Sequence, residues 1–381
     1  MHAKGSVEAH PPSLNYGRRG CWYARWYARW LCPILTSNAH QTSKIFQRPI
    51  APTDWARFTI HAQRVHRFTF SKTTNLTTTE FHLLSIATGA QTLLPSLKRL
   101  NWRNDNDAIF PFIHLFLQPR LKYITMSLAG ASFLRMSFLA TLDQRYPALS
   151  RLDLTDNERV VYPAGTTQSF ITAVRGWSQL RHLYVRGLPA DALPHVATLS
   201  LLVGLRLECI QNYLILKLPP FQDVHRFPCL EELVVISKDI TICTAVVRMM
   251  TSSPTLISIS FSINCLSVPP PTSSQWDDLC SALEYHCHHS SLAFIQIYSL
   301  SDHVDESVLR SHSLRSLYAF EELVLFKLAF GGRFDIDDAD VKEMALSWPH
   351  MQDLTLHGDN TLPEIPRVTL SGLIPFAQQL S

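Results

Sequence analysis

The chain has 381 residues, of which 46% are hydrophobic and 17% charged, a composition that suits a folded protein and excludes global disorder. Its length allows two or three compact domains or one elongated one. The formal net charge of +3 is too small to indicate nucleic-acid or membrane binding by itself. The eight Cys are scattered without a CxxC pair, which favours reduced thiols, several of them small core hydrophobes.

The first 47 residues carry no apolar run of the signal-peptide type, and no uncharged apolar stretch of the chain is long enough to span a membrane. We therefore expect a cytoplasmic or nuclear protein. The decapeptide CWYARWYARW, residues 21–30, repeats WYAR and resembles a basic aromatic anchor for a membrane surface or nucleic acid. Because it is short and has few basic residues, we instead interpret residues 1–47 as a poorly ordered or wrongly translated tail, and expect neither membrane nor nucleic acid as a partner.

Residues 48–92 are predicted to form a helical cap or linker before the main domain. Asp54 can cap a helix that starts after Pro52 and Thr53. One stripe of this helix is apolar and is expected to cover the first repeat. The stripe consists of Trp55, Phe58, Ala62 and Val65.

Residues 93–381 repeat the pattern apolar-x-x-apolar-x-apolar ten times, with a mean spacing of about 28 residues. The first copy is Leu97, Leu100 and Trp102. The first apolar positions of the ten copies are Leu97, Leu121, Leu149, Leu180, Leu202, Leu230, Leu256, Leu292, Phe320 and Met351. Six copies have Pro two positions earlier: Pro95, Pro119, Pro147, Pro228, Pro254 and Pro349.

The spacing has a physical cause. The last two apolar residues of each copy are two apart, so on a strand they point to the same face. The Pro stops a preceding helix, because it lacks an N–H and disfavours helical geometry in the residue before it. Residues 339–349 and 274–287 show such helical apolar spacing. The sequence therefore predicts an α/β leucine-rich-repeat solenoid, a horseshoe with a parallel concave sheet, convex helices and about ten irregular repeats.

The residues between the apolar positions are predicted to face the concave surface, which solenoids use for binding. Arg and Tyr are common among them, and both are enriched at protein interfaces. The alternative is an ordinary solvated sheet face in the first half and a covered face in the second. The predicted partner-binding residues are Arg99, Asn101, Arg103, Tyr123, Arg151, Asp153, His182, Tyr184, Arg186, Arg206, Glu208, Phe294 and Tyr298.

Two further segments carry chemically active residue types. YHCHH, residues 285–289, has no second Cys/His pair, so we interpret it as a polar helix end and expect no metal. FDIDDADVKEM, residues 334–344, fails the EF-hand pattern and is predicted to cap a helix. No GxSxG, P-loop, GxGxxG or HExxH motif occurs, so neither catalysis nor a cofactor is expected.

The run RPIAPTDWARFTIHAQRVHRF resembles the segment that joins F-box and repeats in mushroom-type fungal F-box/leucine-rich-repeat proteins. The repeats with WP or YP before the strand and the closing VTLSGLIPFAQQ are similar to the same family, so the resemblance covers roughly residues 45–381. It implies a substrate receptor that presents a target to a Skp-type adaptor and cullin in an SCF-type ubiquitin ligase. Residues 1–47 lack the Leu-Pro opening and helices of an F-box, and the alternative is a repeat scaffold unconnected to ubiquitin.

Overall fold

The computed structural model describes residues 35–37, 44–46, 51–71, 76–89, 91–128, 132–155, 166–208, 226–250, 255–264, 270–300, 308–358 and 367–379. The WYAR repeat lies outside them. The chain divides into two compact units, Met1–Leu121 and Lys122–Ser381. Short parallel strands alternate with helices or 3-10 turns in both units, so the fold is of the α/β leucine-rich-repeat class, as predicted.

The described residues of the first unit form four strands and two helices. Its strands are β1 (Leu35–Ser37), β2 (Lys44–Phe46), β3 (Arg67–Ser71) and β4 (Arg99–Arg103). Its helices are α1 (Pro52–Ala62) and α2 (Thr78–Thr88), followed after β4 by a 3-10 helix, Phe110–Phe116. Strands β1 and β2 pair antiparallel, whereas β3 and β4 pair parallel.

Helix α1 begins earlier than predicted. Its N-cap is Ala51, and Asp54 lies inside the first turn, where its carboxylate accepts a hydrogen bond from the Ala51 amide at 3.0 Å. Pro52 is tolerated as the first helical residue because its missing N–H would have had no helical partner. The prediction that Asp54 itself precedes the helix was therefore wrong by three residues.

Strand β3 lies in the segment that was predicted to be helical. Val65, Phe68 and Phe70 follow the repeat pattern, and Phe68 and Phe70 are aligned with Leu100 and Trp102 of β4. Phe70 is fully buried, with its ring centroid 4.6 Å from that of Trp102. This copy was missed because Val65 was assigned to the apolar stripe of the preceding helix, which ends at Ala62.

In the described part of the second unit, nine parallel strands follow one another in chain order. They are β5 (Tyr123–Ser127), β6 (Arg151–Thr155), β7 (His182–Arg186), β8 (Gly204–Glu208), β9 (Glu232–Ser237), β10 (Ser258–Asn264), β11 (Phe294–Leu300), β13 (Leu325–Ala329) and β15 (Asp353–His357). Two short strands, β12 (Val308–Arg310) and β14 (Arg333–Asp335), form a separate parallel pair.

Helices and 3-10 turns connect these strands. The helices are α3 (Phe133–Arg145), α4 (Thr166–Gly176), α5 (Leu193–Ala197), α6 (Ile240–Arg248), α7 (Ser273–His286), α8 (Ser311–Leu314), α9 (Asp338–Ser347) and α10 (Ile374–Gln379). The 3-10 turns are Ala190–Ala192, Arg315–Ala319 and Ser371–Leu373. The core is the set of inward strand residues together with the apolar helix faces that cover them.

The predicted order of helix, Pro and strand is confirmed at α9. Asp337 caps this helix by accepting from the amides of Ala339 and Asp340, as the acidic run predicted. The helix ends at Ser347, immediately before Trp348 and Pro349. The buried indole of Trp348 donates to the Leu317 carbonyl at 3.1 Å, so this residue belongs to the core.

The predicted register of β13 was wrong. Phe320, Leu323 and Leu325 were taken as the core positions, with Val324 and Phe326 outward. Of the three core positions, Phe320 and Leu323 are buried, but Leu325 is not. Instead Phe326 has 0% exposure and aligns with Ile295, while Leu325 is half-buried on the opposite face. Residues 323–326 form an unbroken apolar run, so the pattern fits in two registers. Only pairing with β11 selects the one that buries Phe326.

The described cysteines fit the prediction of reduced thiols. Cys229, Cys243, Cys280 and Cys287 form no disulfide, and the last three are buried. Among the described residues, no group of His, Cys, Asp and Glu is arranged to hold a metal ion. None of the described helices has both the length and the apolar character needed to cross a membrane.

Candidate partner-binding face

The strand face of the second unit is defined here as the alternate strand residues that point away from its core. Side chains alternate along a strand, so core residues such as Leu152 and Leu154 leave Arg151 and Asp153 on the other side. Ten of the thirteen predicted binding residues lie on this face. They are Tyr123, Arg151, Asp153, His182, Tyr184, Arg186, Arg206, Glu208, Phe294 and Tyr298.

The other three predicted residues, Arg99, Asn101 and Arg103, lie on β4 of the first unit. They alternate with the buried Leu100 and Trp102. The Nε of Arg103 donates to Oδ1 of Asn101 at 3.1 Å. Strand β4 thus presents a polar face of its own within the first unit.

A first cluster on the strand face joins Tyr123, Arg151 and Asp153 across β5 and β6. The Tyr123 hydroxyl donates to one carboxylate oxygen of Asp153, and the Nε of Arg151 donates to the other at 3.1 Å. The Arg151 guanidinium also lies 5.2 Å from the Tyr123 ring centroid. Burial, followed by the bond to Asp153, raises the pKa of Tyr123, which therefore remains a donor at neutral pH.

Asp153 differs from its neighbours because it is only 6% exposed although it lies on the strand face. Tyr123 and Arg151 cover its carboxylate. A buried carboxylate is tolerated when donors satisfy its oxygens. Asp153 therefore holds its two neighbours in place, and Tyr123 and Arg151 are the more exposed members of this cluster.

A second cluster repeats this arrangement on β7 and β8. The Tyr184 hydroxyl donates to one oxygen of Glu208, and Arg186 forms an ion pair with the other at 2.9 Å. The Arg206 guanidinium lies 4.9 Å from the Tyr184 ring centroid. Burial and the Glu208 bond raise the pKa of Tyr184 to about 12.

His182 lies between the two clusters, aligned with Arg151 on one side and Gly204 on the other. Burial lowers the pKa of His182, and the positive charge of Arg151 lowers it further. The imidazole is therefore neutral at pH 7. It supplies an uncharged aromatic surface between the two charged clusters.

Strands β9 to β13 give the strand face a more apolar character. Val234 and Ile236 on β9 and Phe294 and Tyr298 on β11 are half-buried. Between them, the outward residues of β10 are serines, Ser258, Ser260 and Ser262. Apolar side chains thus stand on both sides of a strand with small hydroxyl side chains.

Among the residues of this face that sequence reasoning missed are Glu232, Lys327 and Gly204. Glu232 lies two residues before Val234, and strict alternation along β9 would have included it. Lys327, which forms an ion pair with Asp353 at 2.5 Å, was hidden by the register error in β13. Gly204 carried no sequence signal, because its role depends on His182 of the neighbouring strand.

The YHCHH segment forms the end of α7, as predicted. His286 lies within 2.9 Å of the Met250 carbonyl through Nδ1, and His289 within 2.8 Å of the Glu284 carbonyl through Nε2. Burial raises the pKa of the Cys287 thiol to about 12. These side chains are therefore engaged in local packing and hydrogen bonding.

No family model and no curated protein matches the chain. Among solved structures, it is similar to the leucine-rich-repeat-containing protein LegL7 of Legionella pneumophila, with 10% identity, a TM-score of 0.42, and coverage of 82% of this chain and 95% of that one. It is also similar to a chain of the Drosophila Toll–Spatzle complex, with 13% identity, a TM-score of 0.38, and coverage of 84% of this chain and 42% of that one. Because these sequence identities and TM-scores are low, the fold assignment rests on the strands and helices described above.

Proposed function

We propose that this chain is a protein-binding repeat module that holds a partner on its strand face. The observation that carries the proposal is the pair of Tyr–carboxylate–Arg clusters on β5 to β8. Tyr and Arg supply much of the binding energy at protein interfaces. Side chains that are already held in place lose less conformational entropy when a partner binds. Each cluster fixes a Tyr and an Arg in this way.

The electrostatics favour recognition over acid–base chemistry. Asp153 and Glu208 each accept a Tyr hydroxyl on one oxygen and an Arg on the other, which leaves neither poised to transfer a proton. Burial raises the pKa values of Tyr123 and Tyr184 away from neutrality. Such groups suit stable contact with a partner.

The test compares binding of an affinity-purified partner to the full chain and to charge-reversed variants. Arg151→Glu, Arg186→Glu and Arg206→Glu should each weaken binding at least about tenfold. Arg206→Glu is the cleanest variant, because Arg151 and Arg186 also hold carboxylates of their own unit. Lys342→Glu on α9 is the matched control for charge reversal on an exposed helix. Unchanged affinity in all three strand-face variants, with unchanged circular dichroism, would overturn the proposal.

The narrower proposal is that the partner is a substrate and that the chain presents it to a ubiquitin ligase. It rests on the resemblance of residues 48–68 and of the repeats to mushroom-type F-box/leucine-rich-repeat proteins. Capture of a purified Skp-type adaptor by the folded full chain would support this role. Failure of that capture would leave a leucine-rich-repeat scaffold unconnected to ubiquitin, and the strand-face proposal would stand.

A further inference from the structure

Arg206 is the Arg or Lys of the strand face that forms no ion pair with a carboxylate among the described residues. The other three are paired, because Arg151 binds Asp153, Arg186 binds Glu208 and Lys327 binds Asp353. Arg206 is exposed and makes its described side-chain contact with the ring of Tyr184. Its positive charge is therefore available to a partner.

Arg206 is also held in position. The Tyr184 ring beneath it is fixed by the hydroxyl bond to Glu208, and the guanidinium lies 4.9 Å from the ring centroid. A guanidinium that stacks through its face keeps the donors in its plane for hydrogen bonds. A carboxylate can accept two of these N–H groups side by side, which is the geometry that Arg recognises best.

The nearby acid Glu232 limits where that carboxylate can lie. Glu232 is exposed on β9, aligned with Gly204, which is two residues before Arg206 on β8. Its negative charge would repel a carboxylate on the β9 side of Arg206. On the opposite side, over Tyr184, the charge of the Glu208 carboxylate is offset by its ion pair with Arg186, so this side repels a carboxylate less.

The apolar part of the face begins one strand further along. Ser260 of β10 aligns with Val234 of β9, which itself aligns with Arg206 of β8. Neighbouring strands are about 4.8 Å apart, so Ser260 lies about 10 Å from Arg206 across the sheet. Ser260 lies between Val234 of β9 and Gln296 of β11. Apolar side chains lie diagonally around it: Ile236 on β9, and Phe294 and Tyr298 on β11.

We propose that the strand face binds an extended acidic–apolar segment of a partner protein, with a carboxylate on Arg206 and a large apolar side chain over Ser260. An extended chain advances about 3.3 Å per residue and its side chains alternate between two faces. Two side chains that both contact the strand face should therefore be two or four residues apart, which spans about 7 or 13 Å. This inference rests on the proposed function and specifies the partner chemistry of the same face.

The experiment selects displayed random 12-residue peptides on the immobilised full chain, and in parallel on Arg206→Glu, Ser260→Phe and the control Lys342→Glu. Peptides enriched on the unchanged chain should carry Asp or Glu two or four positions from Phe, Trp or Leu, because only an even spacing puts both side chains on one face. A synthetic copy should bind at least about tenfold more weakly to Arg206→Glu and to Ser260→Phe, and equally well to Lys342→Glu. Replacing its acid with Lys should restore binding to Arg206→Glu.

The outcomes separate this inference from the proposed function. Enriched peptides that lack the acid, or whose affinity is unchanged by Arg206→Glu, would overturn the inference. If hydrogen exchange then showed such peptides protecting β8 to β11, the strand face would still be a binding surface. Peptides that protect only helices, or an absence of enrichment, would count against both.

Discussion

The imidazole of His182 lies directly over Gly204 of the neighbouring strand. A Cβ atom on Gly204 would lie only 2.6 Å from Nδ1 of His182, which is closer than nonbonded atoms approach. Because His182 and Gly204 are aligned across the β7–β8 pair, the absence of a side chain on one makes room for the other. This packing places a neutral ring between the two charged clusters.

We expect Gly204→Ala to destabilise the unit by about 1 kcal/mol or more, because the ring of His182 must move. The same substitution in a His182→Ala background should be neutral or stabilising by up to about 1 kcal/mol, because Ala restricts the unfolded chain. Urea unfolding of the four variants measures both effects. Equal effects of Gly204→Ala in the two backgrounds would contradict the contact.

His182 should make stability sensitive to acid. Burial and Arg151 lower its folded-state pKa below 6.5, while Arg181 acts in the same direction and Glu232 and Asp153 oppose them. Above pH 6.5 both folded and unfolded states are neutral here. As the pH falls below 6.5, the unfolded state binds a proton first, so the unfolding free energy declines.

The measurement is urea unfolding at pH 7.5, 6.5 and 5.5 for the unchanged chain and for His182→Gln. We expect the variant to show a shallower decline, with a difference below about 1.4 kcal/mol per pH unit because the ring is partly solvated. Part of the decline should persist, since burial also lowers the pKa values of His195 and His286. If the unfolding free energy of the unchanged chain and of His182→Gln declined equally as the pH fell, His182 would not contribute to the acid sensitivity.

The Tyr hydroxyls of the two clusters should contribute unequally to stability. Tyr123→Phe removes a donor from the buried Asp153 and should cost about 1–3 kcal/mol. Tyr184→Phe should cost less, about 1 kcal/mol, because Glu208 is more exposed to water. Tyr298→Phe serves as the control. Thermal or urea unfolding measures the loss of stability in each variant. A larger loss for Tyr184→Phe than for Tyr123→Phe would contradict this order.

The register of β13 can be tested with two adjacent residues. Phe326→Ala should destabilise by about 3–5 kcal/mol, because it leaves a cavity in the core. Leu325→Ala, on the half-buried outward face, should cost about 1 kcal/mol or less. The opposite ranking in urea unfolding would support the register that the sequence pattern suggested.

Much of the fold could be predicted from the sequence. The two-residue spacing of Leu152 and Leu154 is a local property of one strand, and it identifies strand and core side together. The acidic start of α9 likewise signals a cap through its own backbone amides. The repeat at Val65, Phe68 and Phe70 was missed because Val65 also fits the helical spacing of Trp55, Phe58 and Ala62, and only the structure shows that the helix ends at Ala62.

The sequence by itself determined the repeat, the alternation and the set of outward residues on most strands, because these depend on neighbours along the chain. Only the tertiary structure decided which strands align and in what register. The pairing of neighbouring strands places Asp153 beneath Tyr123 and Arg151 and brings Tyr184 to Glu208. It also directs the side chain of Phe326 into the core. It also placed the exposed Arg206 above the ring of Tyr184. The sequence alone could not show these contacts, because each joins residues on neighbouring strands that are about 20 to 30 positions apart in the chain.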